Sequence, residues 1–222
     1  MLGKGRAILF SEMTPGADFE AEFNTWYDTV HVPERMACPG FVSGQRYRRQ
    51  GSSGYLAVYE MSDLGAMTTD AYTKVKTEPS AQSAWMLKNV TGFTRYLATE
   101  TSVRAEGDVS IAVDAPVLYV VAFNVPMEAT ADFDAWYEED HVPRLLEEPK
   151  WLMVRRLRVV DGVPETYTHL ALHYLAEADA LASPAREKAH ETAWRARLSK
   201  EPWFKGTYTI FERIGQRQLA TT

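Results

Sequence analysis

The stretch Phe23-Asn24-Thr25-Trp26-Tyr27-Asp28-Thr29-Val30-His31-Val32-Pro33 is echoed by Phe133-Asp134-Ala135-Trp136-Tyr137-Glu138-Glu139-Asp140-His141-Val142-Pro143. Phe, Trp, Tyr, His, Val and Pro all return at one offset, 110 residues from Phe23 to Phe133. The chain has 222 residues but only 6 Trp and 5 His, so chance does not explain the match. An offset of half the chain means a duplicated domain and not a solenoid, whose repeats are shorter. The expected division is a first repeat over 1–104 and a second over 112–222, each a domain of ordinary small size.

Working outward, each half reads strand, helix, strand, strand, helix, strand. In the first, Arg6–Met13 is a short apolar run fit for a buried strand, and Asp18 stands where a helix N-cap belongs. Apolar residues at helical spacing run from Phe19 to about Ala37, and Pro39-Gly40 ends them. Phe41–Arg49 and Tyr55–Met61 read as strands joined by Gly51-Ser52-Ser53-Gly54. A second helical region breaks near Glu78-Pro79, and Phe93–Glu100 closes the unit. The second half gives Pro116–Val125 as strand and Ala131–Leu146 as helix. Trp151–Val160 and Thr166–Leu175 follow as strands turning at Asp161-Gly162, then Glu177–Leu198 as helix and Thr207–Arg213 as strand. Thr101–Ala115 reads as a linker.

This order is the ferredoxin-like βαββαβ plan, an α+β fold with two helices on one face of an antiparallel sheet. The other face also needs cover, so the two sheets are expected to pack on each other as a barrel within one chain. Trp26-Tyr27-x-x-x-His31-Val32-Pro33 followed by Pro39-Gly40-Phe41 resembles the EthD-like branch of the dimeric α+β barrel superfamily. The second copy keeps the core motif but has Pro149-Lys150-Trp151 in place of Pro-Gly-Phe. The resemblance implies the fold more strongly than the reaction. Its members include cofactor-free monooxygenases, polyketide cyclases, lactone isomerases, dehydratases, haem enzymes and proteins without known activity.

Composition narrows the partners. A net charge of −6 disfavours nucleic acid and other polyphosphates. One cysteine, Cys38, rules out an intrachain disulfide and a cysteine metal cluster. No apolar run approaches bilayer-spanning length, and no leader is apparent, so a soluble cytoplasmic protein is expected, with further homodimerisation open.

Phe23, Tyr27 and His31 are spaced to share one helix face, as are Phe133, Tyr137 and His141, with Trp26 and Trp136 on an adjacent stripe. Pro33 lacks the N–H for the preceding turn, so the helix should kink or stop there. The helix end and Asp28 (Glu138 in the second copy) favour protonated histidine, whereas burial opposes it. One reading makes His141 or His31 a general acid or base, with Tyr137 or Tyr27 donating to a substrate oxygen. The other has each histidine merely tying a kinked helix end to a backbone carbonyl. The halves diverge at the third strand, where His169 and His173 stand at the positions of Tyr55 and Tyr59. Those imidazoles extend the candidate substrate site, together with Trp136, Trp26 and the strand arginines Arg156 and Arg46. His141, His169 and His173 together also raise a histidine-bound metal, with haem a further option of the superfamily, although the leading reading needs no cofactor. His190, on a polar helix, is expected to be exposed, and Trp85 and Trp194 to be core.

The function expected is therefore a cofactor-free acid/base enzyme, of lyase, isomerase or cyclase type, acting on a small oxygenated hydrophobic or aromatic metabolite. The alternatives are a cofactor-independent monooxygenase and a non-catalytic binding or scaffold protein. His141 and Tyr137 rank ahead of His31 and Tyr27 because of the extra histidines nearby.

Overall fold

The computed structural model describes residues 6–164 and 166–220. Residues 6–99 with 160–164 and 213–220 form one compact unit, and Glu100–Val159 with Thr166–Glu212 form the other. In chain order the elements are β1 (Ala7–Thr14), α1 (Glu20–Trp26), α2 (Val32–Met36), β2 (Phe41–Arg49), β3 (Tyr55–Met61), α3 (Asp70–Thr77) and α4 (Ala81–Asn89). Then come β4 (Thr91–Ala105), α5 (Val109–Ala112), β5 (Val117–Phe123), α6 (Thr130–Trp136) and α7 (Val142–Leu145). The rest is β6 (Trp151–Val163), β7 (His169–Leu175), α8 (Pro184–His190), α9 (Ala193–Leu198) and β8 (Thr207–Leu219).

In the first unit β1 lies between β3 and β4, and β2 pairs β3 on the far side, all antiparallel. The second unit repeats this, with β5 between β7 and β8 and β6 beside β7. Even the irregularity recurs: the β2–β3 register shifts between Phe41 and Ser43, and the β6–β7 register between Trp151 and Met153. Each unit has its own core between the helices and the inward residues of the strands. Phe23, Trp26, Tyr27, Leu9, Ala57 and Tyr59 anchor the first. Phe133, Trp136, Tyr137, Val121, Ala171 and Trp151 anchor the second. Across the second sheet the fully buried Arg155 donates from Nε to Glu100 Oε2 at 2.7 Å, which pairs two charges that burial alone would heavily penalise.

Several boundaries differ from the sequence reading. The expected linker begins later, because β4 continues to Ala105. Asp161-Gly162 is not the turn, since β6 runs through it to Val163. The expected single helix Glu177–Leu198 is broken: the Ser183 hydroxyl accepts from Arg186 N and the Thr192 hydroxyl from Arg195 N, so each starts a new helix. Asp18 does not cap α1, whose N-cap position is Phe19. No helix among the described residues is long and apolar enough to cross a membrane.

Candidate functional site

The repeated motif does something that its spacing alone did not predict. Between α1 and α2, residues Tyr27–His31 form a π-helical turn, and Tyr137–His141 do the same between α6 and α7. The Val32 N–H reaches back five residues to Tyr27 O, and the Val142 N–H to Tyr137 O. Such turns insert one residue into a helix and often accompany functional sites. Pro33, lacking an N–H, leaves Asp28 O without its partner in that pattern, and Gln218 Nε2 donates to it at 3.0 Å. The helix therefore bulges and continues instead of stopping.

The bulge also changes which side chains meet. A π turn brings residues five apart into register, so Trp26 joins His31, with ring centroids 4.4 Å apart, against 4.6 Å for Tyr27 and His31. In the second unit Trp136 and His141 are stacked at 4.5 Å, closer than Tyr137 and His141 at 5.2 Å. The tryptophans are thus part of the histidine cluster and not a separate stripe.

His31 and His141 are both buried. Burial holds His31 well below the usual imidazole range, with Arg35 and Arg46 adding to it. Burial likewise lowers His141 to about 3, followed by the charge of His190; the bond to Ala189 O opposes this weakly. Burial therefore outweighs the helix end. The expected carboxylate partners are engaged elsewhere: Asp28 binds Arg46 at 2.7 Å, and Glu138 binds Arg156 at 3.0 Å.

His141 lines a cavity of about 20 Å³ in the second unit, with Trp136, Tyr137 and Trp151, and with His173 and Tyr119 from the sheet. That volume suits a water molecule and not an aromatic ring. Arg186, His190, Arg195 and Phe204, all partly exposed, and Tyr208, which is 51% exposed, complete the wall.

Hydrogen bonds fix which ring nitrogens carry protons. His141 Nδ1 lies 3.3 Å from Ala189 O, and a carbonyl only accepts, so Nδ1 donates and Nε2 holds the lone pair. Trp151 Nε1, a donor only, lies 3.1 Å from His173 Nδ1, so this nitrogen accepts and Nε2 carries the hydrogen. His173 is buried, and burial keeps it neutral by pushing it well below its usual range, with His141 contributing. Its Nε2 has no protein partner. Nor has Trp136 Nε1, whereas the Nε1 of Trp26 donates to Ser83 Oγ at 3.0 Å. Burial also raises the Tyr137 hydroxyl, which therefore stays protonated.

Other predicted residues fall outside this group. His169 lines a separate cavity of about 10 Å³ with Tyr137, Phe133 and Arg156. Its Nδ1 sits 2.7 Å from Thr168 Oγ1, and burial with Arg158 lowers it to about 4. His169 and His173 are four strand residues apart, roughly 13 Å, which is too far for both to grip one ion with His141. Among the described residues no group of three His, Cys, Asp or Glu is placed to hold a metal ion. Arg156 is bound by Asp134 and Glu138 and lies over the Tyr137 ring at 4.8 Å. Arg46 is bound by Asp28 and Asn24 over Tyr27 at 4.4 Å. Both arginines fasten helix to sheet in the same way in each unit.

Sequence reasoning missed Tyr119, Trp151, Arg186, Arg195 and Tyr208. His190 is only partly exposed, and its ring stacks on His141 at 5.8 Å, against the expectation of a solvated side chain. Trp85 is 47% exposed instead of core. Trp194 is partly buried, and its indole donates to Asp132. Tyr119 within Val117–Phe123 reads like any core aromatic, so the sequence carries no signal for it.

No protein-family model matches the sequence, and no curated protein matches it. Solved structures do. An anthrone oxidase-like protein superposes with a TM-score of 0.71 at 11% identity, covering 100% of this chain and 95% of that one. What the two share is a mixed α+β fold built on antiparallel strands. A candidate monooxygenase of Fusobacterium nucleatum gives 0.64 at 10% identity, covering 99% and 96% of the two chains. A mutant chlorite dismutase from Candidatus Nitrospira defluvii, in complex with cyanide, gives 0.61 at 8% identity, covering 96% and 92%. At such identities the likeness concerns the fold.

Proposed function

We propose that the chain is an enzyme of small-molecule metabolism built from two tandem ferredoxin-like, EthD-like repeats, 1–104 and 112–222, of which the second holds the active site. The observation that carries this reading is the fixed pair of tautomers at one cavity. His141 presents a bare Nε2, and His173 presents an Nε2–H. The first is a proton acceptor, and the second is a donor to an oxygen.

In the reaction proposed, His141 Nε2 takes a proton from a carbon or hydroxyl next to a carbonyl of an oxygenated, hydrophobic, often aromatic substrate. The electron pair left behind spreads onto the carbonyl oxygen, which accepts hydrogen bonds from His173 Nε2–H and the Tyr137 hydroxyl. A base lowered to about 3 is weak in isolation. It becomes effective because the imidazolium and the substrate anion form together in a low-dielectric site, each stabilising the other. Returning the proton elsewhere gives isomerisation, cyclisation or, with loss of a leaving group, elimination. The same anion can pass electrons to dioxygen, and the anthrone oxidase-like and monooxygenase names among structures of this fold favour that second outcome equally. The cavity holds about 20 Å³, so this reading requires the partly exposed rim side chains to move apart for a substrate to enter.

The test is His141→Gln beside His31→Gln, assayed against a panel of aromatic ketones and phenols with dissolved oxygen monitored. Expected is a loss of 10²–10⁴-fold for His141→Gln, of the order typical for removing a general base, and little change for His31→Gln. Oxygen uptake with substrate selects the monooxygenase route, and turnover without uptake selects proton transfer alone. Undiminished turnover in His141→Gln overturns the assignment and leaves the histidine as a structural tie to Ala189.

A further inference from the structure

The cavity wall is unbalanced in its polar groups. Two of its lining residues, His173 and Trp136, carry N–H groups, Nε2–H and Nε1–H, that are buried and have no protein partner. Buried N–H groups left unbonded each cost on the order of 1–3 kcal/mol, so two at one cavity call for an acceptor from outside the chain. At the rim stand two guanidinium groups, Arg186 and Arg195. Their protein partners are neutral: Arg186 donates to Leu181 O at 3.0 Å and also faces the Tyr119 hydroxyl, and Arg195 donates to His190 O at 3.4 Å while lying over the Phe204 ring. Among the described residues neither has a carboxylate partner. By contrast, Arg46, Arg156, Arg158 and Arg197 are all paired with acids.

Resting on the catalytic reading above, we propose that the substrate of this site is an organic anion, a planar carboxylate on an aromatic or other unsaturated body. Its charged end would be held by Arg186 and Arg195, and an oxygen of its body would accept from the inner N–H groups of His173 and Trp136. A carboxylate offers two acceptor oxygens in a plane that matches the guanidinium fork. Tyr119 and Tyr208, stacked at 6.2 Å, and Phe204 supply ring faces beside it. The neutral histidines suit such a guest, because a protonated imidazole inside would compete with the rim for the anion.

The experiment is binding, independent of turnover. Benzoate and its uncharged isostere benzamide are titrated into the intact protein by ligand-observed NMR, with wild type, Arg195→Met, Arg195→Lys, Arg186→Met and His141→Gln. Expected is at least a tenfold preference for benzoate in wild type. That preference should fall toward unity in Arg195→Met and Arg186→Met and be partly retained in Arg195→Lys, with melting temperatures confirming folded variants. Equal affinity for the two probes, no binding of either, or an intact preference in both methionine variants overturns the proposal. His141→Gln separates the two readings. If it still prefers benzoate but has lost turnover, both stand; if turnover survives, the base assignment falls while anion recognition is judged by the arginine variants alone.

Discussion

At the level of single residues, burial decides the charge of every histidine in the chain. All five, His31, His141, His169, His173 and His190, are held below their ordinary range, mainly because a low-dielectric surrounding disfavours the cation. His141 is lowered to about 3 and His190 to about 4, while the Tyr137 hydroxyl is raised. The protonation states that the proposed mechanism uses are thus constant across neutral pH. The expected kcat/KM profile is flat between about pH 5 and 8, with no inflection near the ordinary histidine value of ~6.5. A bell centred near neutrality, measured with a substrate that does not itself titrate there, would contradict the assignment. The indole of Trp151 has an equally local role, since its N–H on His173 Nδ1 forces the hydrogen onto Nε2. Trp151→Phe should lower kcat by up to about 10²-fold, the lower end of the cost of losing an oriented donor to a developing oxyanion. The NMR signature is the His173 ring nitrogens, whose tautomer should become mixed in the variant.

At the level of elements, the π turn is the feature that organises the site. It offsets α7 from α6 by one inserted residue, so that Trp136 and His141 stack while Tyr137 still faces the sheet. In the first unit the bulge exposes a carbonyl, Asp28 O, that Pro33 cannot serve and Gln218 does. Gln218→Ala should therefore cost about 1 kcal/mol, the usual net value of one hydrogen bond, and lower Tm by a few degrees. An unchanged melting curve would mean that water replaces the amide without loss.

At the level of the whole molecule, the same histidines make stability depend on acid. Between the unfolded value, ~6.5, and the lower folded value, the unfolded chain binds more protons than the folded one, so stability falls as pH drops through that window. For His141 the window extends down to about 3. Each fully buried histidine removes about 1.4 kcal/mol per pH unit there. Calorimetry at stepped pH should show Tm constant above about pH 7 and falling steeply below about 6. A plateau down to about pH 5 would contradict the burial of His31, His141 and His173.

Much of this molecule was legible in its sequence. The repeat of Phe23–Pro33 as Phe133–Pro143, the strand and helix order and the pairing of β2 with β3 follow from hydrophobic period and turn residues, which are local properties of the chain. The divergence of His169 and His173 from Tyr55 and Tyr59 is also readable in the sequence, and it is one ground for proposing the second half as the site. Tertiary structure alone decided the rest. Whether an inserted residue makes a helix stop or bulge depends on what lies behind it, so the π turn and the Trp136–His141 stack were out of reach. Which imidazole nitrogen bears a hydrogen depends on partners far along the chain, Ala189 for His141 and Trp151 for His173. Arginines look alike in sequence, yet Arg156 is neutralised by Asp134 and Glu138, whereas Arg186 and Arg195 reach the cavity without an acid. Local patterns set which elements form; long-range contacts set which polar groups are left without a protein partner.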